Sequence, residues 1–474
     1  MLKELFKGSA IYGLAPFIPK ILTVLLLPLL TKYLTSVDYG IIGTITAVTF
    51  ALQALQSLGL NALLPNYFYK CRTHYKIIWR EVYGFLSLWM IAYALSQAVL
   101  LYFFIPEEAA DNKWLIIVLS NFSTVFFGPT AIIGRMYYQL NLRPVPVASR
   151  LVLSGVSTVA VNCLCVAVFH LGYLGAYIGS FAGTFIANMS YWPVVNRKLG
   201  LSPIYNFKWR TIRNLLKVST PTIPHYYSTY LLNSTNVIAM NYYGKPQSEV
   251  GHLTMAQSIS GMFDTFLNAI NQVWSPMSYK FIRDKNRGEM KRILFTYVLL
   301  AFSATFLYSL WSREAYGILI SNEEIAATYK YSILLVMALS YRPFYVYCIN
   351  YFLYFEHTVQ MLGITFVSGV ISFIFYFAMT PVWGIYAALI GFYLGCLYLG
   401  YSGYFYSFYR EATIYKVKWP LFVFVQLFLT VVAYICVDSS IVIKIFISLA
   451  YLSLAGVVFI KKIKGNVRFV KKSI

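Results

Sequence analysis

The chain has 474 residues, of which 59% are hydrophobic and only 11% are charged. Soluble domains carry about 25% charged residues, and this composition, with a mean hydropathy of +0.65, excludes a soluble globular protein. Apolar runs of roughly 20 residues recur from end to end and predict an all-α polytopic membrane protein. The net charge of +22 indicates no nucleic-acid partner, because the basic residues lie in short loops rather than in a soluble basic domain.

The apolar runs predict about 14 transmembrane helices joined by short connections. Their approximate bounds are 8–32, 41–66, 82–105, 114–138, 147–170, 173–195, 215–241, 250–279, 293–312, 328–350, 358–380, 384–408, 419–437 and 440–460. The first run is interpreted as a retained span and not as a cleavable signal. The seventh and eighth runs are long, and we expect them to be tilted or bent.

The distribution of charged residues among the loops predicts the orientation of the chain in the membrane. Loops after even-numbered spans and the C-terminal tail carry most of the lysines and arginines, whereas the opposite loops carry most of the acidic residues. Because cytoplasmic loops are enriched in basic residues, this distribution predicts that both termini are cytoplasmic.

Two halves of the chain share landmarks. Pro16-Phe17-Ile18-Pro19-Lys20 in the first span matches Pro221-Thr222-Ile223-Pro224-His225 in the seventh. Asp38-Tyr39-Gly40 matches Glu249-Val250-Gly251, and the two glycines are 211 positions apart. Such repeats predict two six-helix lobes of the same topology, related by an axis along the membrane normal.

The repeat predicts three segments: an N-lobe of residues 1–213, a C-lobe of residues 214–410, and residues 411–474 with two further helices and a basic cytoplasmic tail. Glycines spaced four apart, at Gly175, Gly179 and Gly183 and again at Gly391 and Gly395, predict close helix packing within each lobe.

Four prolines predict hinges in the first and seventh spans: Pro16, Pro19, Pro221 and Pro224. Proline breaks the helical hydrogen-bond ladder, and a membrane tolerates the break only where protein or a water-filled cavity covers the freed carbonyls. The pattern therefore predicts a binding site beside both broken helices.

Four ionisable residues are predicted near the bilayer midplane: Lys20, His225, Asp264 and Arg342. Charged groups at this depth are expected to face protein or water and to have partners. Lys20 either binds cargo or pairs with Asp264, Arg342 either binds cargo or caps the helix break before Pro343, and His225 is either an interior histidine or part of a proton relay.

Asn268 and Asn271 follow Asp264 at helical spacing and predict a polar face directed at a cavity, where Asp264 acts in ion coupling or in a salt bridge. Lys20, His225 and Arg342 outnumber the one deep acid, so we expect an anionic cargo. Arg135 and Arg150 lie nearer helix ends and are expected to snorkel.

No catalytic triad, nucleotide motif or metal-ligand spacing is present, and the six cysteines form no CxxC pair. The sequence therefore predicts a transporter that is not an enzyme, with no cofactor and no metal site.

Three stretches carry a family resemblance. They are residues 8–40, with Gly8-Ser9, Tyr12 and the run from Leu27 to Gly40; residues 215–224; and Asn271-Gln272-Val273-Trp274-Ser275-Pro276. Together they resemble the Wzx-type polysaccharide (O-antigen) flippases of the MATE-like superfamily of MOP exporters. This chain departs from many relatives at Gly251-His252-Leu253, where they carry Gly-x-Tyr.

The resemblance implies two lobes around a cationic cavity and transfer of undecaprenyl-pyrophosphate-linked oligosaccharide from the cytoplasmic to the periplasmic leaflet by alternating access. It also implies residence in the bacterial inner membrane, with a polysaccharide polymerase and a chain-length regulator as candidate partners.

Three alternatives stay open at this point. A lipid II-type flippase is a near relative. A drug exporter of the same superfamily would favour an acidic lumen and twelve spans. A membrane polysaccharide polymerase would be expected to carry a large periplasmic loop, whereas the outer connections here are short.

Overall fold

The computed structural model describes residues 17–70, 74–141, 143–220, 223–413 and 417–470. Within these ranges the chain forms helices and turns, and no β-strand occurs. Ten helical segments among the described residues are long and apolar enough to cross a membrane. The predicted all-α polytopic class is therefore confirmed.

The first half of the chain forms helices α1 to α10. Their bounds are α1 Phe17–Tyr33, α2 Ser36–Gln56, α3 Leu60–Lys70, α4 Tyr75–Phe104, α5 Lys113–Leu140, α6 Val145–Asn162, α7 Gly172–Met189, α8 Trp209–Ser219, α9 Ile223–Asn233 and α10 Thr235–Tyr242. A 3-10 turn at Glu107–Asn112 precedes α5, and π-helical turns at Cys163–Val168 and Val194–Lys198 follow α6 and α7.

The second half forms helices α11 to α21. Their bounds are α11 Gln247–Arg283, α12 Arg287–Leu310, α13 Ser312–Leu319, α14 Glu323–Ala326, α15 Tyr329–Ala338, α16 Arg342–Tyr354, α17 Thr358–Trp383, α18 Ile385–Tyr401, α19 Ser407–Ala412, α20 Trp419–Cys436 and α21 Ile441–Val470. Leu339–Tyr341 and Ser402–Phe405 are 3-10 turns.

The predicted seventh span differs most from the structure. Its first residues belong to α8, an amphipathic helix that buries Ile212 and Leu215 and exposes Arg213 and Lys217. The apolar part is described again from Ile223 as α9 and is interrupted at Ser234. Part of the run predicted as one span therefore belongs to the amphipathic face of α8.

The chain divides into two compact units. The first comprises residues up to Tyr230, Val237–Gly251 and Ile320–Asn322, and the second comprises Leu231–Asn236, His252–Leu319 and the chain from Glu323 onwards. We call them the first and second unit.

Small residues allow close helix packing in both units. In the first, a Cβ on Gly179 would lie 1.9 Å from Asn162 Oδ1, and one on Gly183 would lie 2.0 Å from Thr158 Oγ1. In the second, a Cβ on Gly395 would lie 2.1 Å from Ser372 Oγ. The predicted packing role of these glycines is confirmed.

The repeated glycines Gly40 and Gly251 lie at one helix crossing within the first unit. A Cβ on Gly40 would lie 2.0 Å from the Gln247 carbonyl oxygen, and one on Gly251 would lie 1.7 Å from the Ser36 carbonyl oxygen. The start of α2 and the start of α11 therefore touch backbone to backbone. Asn241 bridges nearby, donating to Thr44 Oγ1 over 2.9 Å and accepting from Gln247 Nε2 over 2.7 Å.

In the second unit, the last helix is attached by a buried ion pair. Lys444 on α21 is fully buried, and its Nζ lies 2.7 and 2.8 Å from the two carboxylate oxygens of Glu314 on α13. The ammonium also lies 5.8 Å from the centre of the Trp311 ring. Because an unpaired buried lysine is costly, this contact fixes the register of α21.

We expect Gly251→Ala to lower the free energy of unfolding by about 1–3 kcal/mol, because the added methyl group has no space at the crossing. Gly261→Ala in the same helix is the matched control, since a Cβ there has no neighbour within 4 Å. Thermal unfolding of the detergent-solubilised variants measures both. Equal melting temperatures for the two variants would contradict the close crossing.

Candidate functional site

The first unit contains a chamber of about 1190 Å³. Its wall is formed by α2, α4, α5, α7 and α9, with Ser57 and Asn61 at one edge. The fold places His225 on this wall, together with the four residues Tyr226, Tyr227, Thr229 and Tyr230 of the same helix.

Polar side chains recur at helical spacing along the chamber wall. On α2 they are Thr46, Thr49, Gln53 and Gln56; on α5 they are Ser120, Thr124, Arg135 and Gln139; on α7 they are Tyr177, Ser180, Thr184 and Asn188. Steps of three and four residues, and one of eleven on α5 that equals about three turns, place each set on one face of its helix. Because polar groups are costly in lipid, these faces are directed at the chamber.

The wall is almost uncharged. Among the described residues that line the chamber, none is an aspartate, a glutamate or a lysine, and Arg135 is the one permanently charged side chain. His225 is half-buried on the wall. The chamber can therefore accept a polar solute without imposing negative charge.

Two polar atoms at the wall have no hydrogen-bond partner in the described part of the chain: Gln97 Oε1 and Asn61 Oδ1. Gln97 is 3% exposed. An unpaired buried acceptor costs free energy that a donor from a ligand would recover. The side chains of Ser120 and Tyr177, in contrast, are already hydrogen-bonded to each other.

Arg135 belongs to a cluster of arginines and tyrosines at one end of α5. Its guanidinium interacts with the Tyr191 hydroxyl. Arg150 belongs to the same cluster. Its guanidinium carbon lies 4.4 Å from the centre of the Tyr191 ring and 5.6 Å from the centre of the Tyr138 ring. Arg150 is held by the carbonyls of Pro146, at 2.7 Å, and Ser190, at 3.3 Å.

The second unit contains a smaller polar pocket of about 190 Å³. Asp264 and Arg342 line it, and Arg342 Nη2 lies 2.8 Å from Asp264 Oδ1. Both side chains are less than a third exposed, at 31% and 22%. Asn233, Gln257 and Ser260 also contribute polar side chains to the wall.

The predicted polar face around Asp264 is present in the second unit. Asn268 Nδ2 donates to Asp264 Oδ2 over 3.0 Å. Asn271 takes part in a separate network, because its Oδ1 accepts a hydrogen bond from Ser275 over 2.8 Å, and Ser275 also contacts Asn350 Oδ1 at 3.3 Å. Asp264 thus has Arg342 as an ion-pair partner within the second unit.

Lys20 lies in the first turn of α1, where its side chain is exposed, and it is not on the chamber wall. Pro19 beside it packs against α6, since a Cβ on Gly155 would lie 3.0 Å from Pro19 Cα. Pro16 lies outside the described residues.

In the seventh predicted span, Pro221 lies outside the described residues, and Pro224 is the second residue of α9. The first helical turn does not use the missing N–H of proline. Within the described residues Pro224 therefore lies at the start of α9, and its role as a hinge stays a prediction. Its carbonyl accepts a hydrogen bond from Ser228 Oγ over 3.1 Å.

Sequence reasoning missed Arg135 and most of the chamber wall. It searched for charged groups at mid-membrane depth and assigned Arg135 to the helix end. The available signal was the repeated polar spacing in α2, α5 and α7, which interrupts otherwise apolar runs.

Comparison with known proteins identifies a family and a fold. The profile described as "Polysaccharide biosynthesis protein" matches residues 5–282, more than half of the chain. No curated protein matches the chain.

Solved structures share the architecture at low identity. A lipid II flippase MurJ in an inward closed conformation is similar with a TM-score of 0.67 and 15% identity, over 90% of this chain and 98% of that chain. An inward-facing multidrug resistance MATE family transporter of the MOP superfamily gives a TM-score of 0.58 and 13% identity, over 85% and 94%. A MOP superfamily transporter from Pyrococcus furiosus, described as having a binding pocket of reverse polarity, gives 0.54 and 13%, over 87% and 97%. The predicted MATE-like fold is confirmed.

We expect Asp264→Asn and Arg342→Gln each to lower the free energy of unfolding by about 1–3 kcal/mol, because each leaves a partly buried group without its partner. The double variant should lose less than the sum of the two single losses. Thermal unfolding of all three variants measures the coupling.

Asp284→Asn is the matched control for this pair. It removes the contact between Arg283 and Asp284, whose side chains are 69% and 41% exposed, and exposed pairs contribute little. Strictly additive losses at Asp264 and Arg342 would show that the two side chains do not stabilise each other.

Proposed function

The chain belongs to the polysaccharide biosynthesis protein family, and we propose that it is a flippase that moves a polyprenyl-diphosphate-linked oligosaccharide from the cytoplasmic to the periplasmic leaflet. The observation that carries this proposal is the chamber of the first unit. Its volume of about 1190 Å³ suits several sugar rings, whereas typical drug-sized sites measure about 300–1,000 Å³.

The chemistry of the wall matches a carbohydrate. Sugar hydroxyls both donate and accept hydrogen bonds, and the wall offers amides and hydroxyls that do the same. Gln97 Oε1 and Asn61 Oδ1 are acceptors without partners in the described chain. Tyr93, Tyr227 and Tyr230 add aromatic surfaces that pack against the apolar faces of sugar rings.

The binding residues predicted from the sequence fit this proposal unequally. His225 lies on the chamber wall and is the one most directly supported as a cargo contact. Arg342 already has Asp264 as a partner at 2.8 Å, so a role in cargo binding requires the cargo phosphate to displace that carboxylate. Lys20 is exposed on α1 and stays a predicted contact.

The second pocket supports a role for Asp264 in coupling transport to a cation gradient. A proton or a metal cation on the carboxylate would compete with Arg342 and leave the guanidinium without its counter-charge. The hydrogen bond that Asn268 donates to the same carboxylate would also be altered when the cation binds. We therefore propose ion coupling at Asp264, in alternating access between the two predicted lobes.

The remaining parts of the proposal rest on charge placement and family. The segments 1–213, 214–410 and 411–474, both cytoplasmic termini and the bacterial inner membrane follow from the loop charges and the repeat. A polysaccharide polymerase and a chain-length regulator are proposed as partners because a flipped repeat unit must be joined to others.

The acid-free wall argues against export of cationic drugs, which would favour negative lining groups. A lipid II-type cargo shares the same lipid diphosphate and differs only in its sugar and peptide parts. The connections between the described helices are short, which argues against a polymerase with catalytic side chains on a large outer loop.

A charge placed in the chamber distinguishes an anionic cargo from a cationic one. Ser180 lies exposed on the chamber wall, so we expect Ser180→Glu to fold and to reduce export of an anionic cargo by roughly tenfold or more through repulsion in a low-dielectric space. Ser180→Gln is the matched neutral control and should retain transport. If the cargo were cationic, the Ser180→Glu variant would transport it faster than the Ser180→Gln variant.

Deletion of the gene tests the function directly. We expect lipid-linked oligosaccharide to accumulate in the cytoplasmic leaflet and surface polysaccharide to disappear, with recovery of both by the wild-type chain. Normal surface polysaccharide after deletion, together with export of a drug cation, would overturn the proposal.

A further inference from the structure

Resting on the proposed function, we propose that Arg135 is the anion-binding residue of the chamber and that it holds the diphosphate of the cargo at one end while the uncharged sugars fill the rest. Arg135 is the permanently charged side chain among the described residues that line the chamber. In the described chain it forms no ion pair with an acidic side chain, so its charge is left for a ligand.

The surroundings of Arg135 hold it in place. The Tyr191 ring packs directly on the α5 backbone, because a Cβ on Gly134 would lie 2.5 Å from Tyr191 Cδ1. Arg150 covers that ring at 4.4 Å and is itself anchored by two carbonyls. The hydroxyl of this fixed Tyr191 interacts with Arg135. A guanidinium fixed in this way loses little side-chain entropy when it binds a phosphate bidentately.

The position of Arg135 along α5 places the anion-binding site at one end of the chamber. The chamber wall on α5 runs from Leu119 to Gln139, which is roughly 30 Å at the helical rise. Arg135 lies near the end of α5 at Leu140, about 8 Å from it along the axis. On the orientation predicted from loop charges, this is the cytoplasmic end.

This depth fits a lipid-linked anion. A diphosphate attached to a polyprenyl chain stays near the level of the lipid phosphates while its tail remains in hydrocarbon. The oligosaccharide then extends from Arg135 along the polar faces of α2, α5 and α7. Arg135 therefore fixes the orientation of the cargo in the chamber by binding its diphosphate end. The uncharged wall selects cargo whose other end is made of neutral, polar sugars.

Binding of polyprenyl diphosphate to the full-length protein in phosphatidylcholine nanodiscs tests the proposal. We expect Arg135→Gln to weaken this binding by roughly tenfold or more, since it removes charge-assisted hydrogen bonds, with an unchanged melting temperature. Arg143→Gln is the matched control, because Arg143 carries the same charge nearby and is not part of the chamber wall. Equal affinities for the Arg135→Gln variant and the wild type would overturn the proposal.

Competition separates the sources of the anion. Inorganic pyrophosphate should displace the probe from the wild type, and the neutral polyprenol should not. Phosphatidylglycerol in the nanodisc should have little effect. Displacement by phosphatidylglycerol as effective as that by polyprenyl diphosphate would show that Arg135 binds bulk anionic lipid, and it would overturn the proposal.

Chemical modification of the wild type gives a measurement that does not depend on folding of a variant. Phenylglyoxal should modify Arg135, which is exposed, and polyprenyl diphosphate should protect it while Arg143 remains reactive. Equal modification of Arg135 with and without the lipid would overturn the inference. Failure of the proposed function gives a different result. The wild-type protein would then bind polyprenyl diphosphate, but deletion of its gene would leave surface polysaccharide normal.

Discussion

A charged side chain in a membrane protein must have a partner or reach water, and this constraint accounts for how the two units treat their charges. In the second unit, Arg342 pairs with Asp264 and the buried Lys444 pairs with Glu314. In both pairs the positive charge is neutralised by a carboxylate of the same unit. Arg135 in the first unit instead faces a chamber, where a ligand or water supplies the partner. The same requirement is thus met by ion pairs in the second unit and by access to the chamber in the first.

The backbone obeys a parallel constraint, because peptide groups freed by a helix break also need partners. The interruption at Ser234 follows the segment His225–Tyr230 of α9, which contributes to the chamber wall. Where helices must instead approach without a cavity, glycine removes the side chain, as at Gly40 and Gly251. The duplicated glycines of the sequence therefore mark one structural contact, and the helix interrupted at Ser234 contributes to one cavity wall.

Local sequence patterns predicted the features that depend on one helix at a time. Apolar runs located the helices, and glycine spacing located close packing at Gly179 and Gly395. The partner of Asp264 could not be predicted in the same way, because Lys20 and Arg342 were equally suitable by depth alone. Arg135 was missed for a related reason: its position near a helix end is compatible with snorkelling, and only the three-dimensional structure places it among the residues that line the chamber.

A nearly uncharged chamber also suits the requirement that cargo be released. Neutral hydrogen bonds contribute about 0.5–1.5 kcal/mol each and exchange readily with water, whereas contacts to a charged group contribute about 1.5–3 kcal/mol. Each further charged contact would slow release of a diphosphate, because transport requires binding that is also weak enough to end. One fixed guanidinium among amides, hydroxyls and tyrosines orients the cargo through a single strong contact. The many weak contacts along α2, α5 and α7 then select for polar, hydroxylated cargo without trapping it.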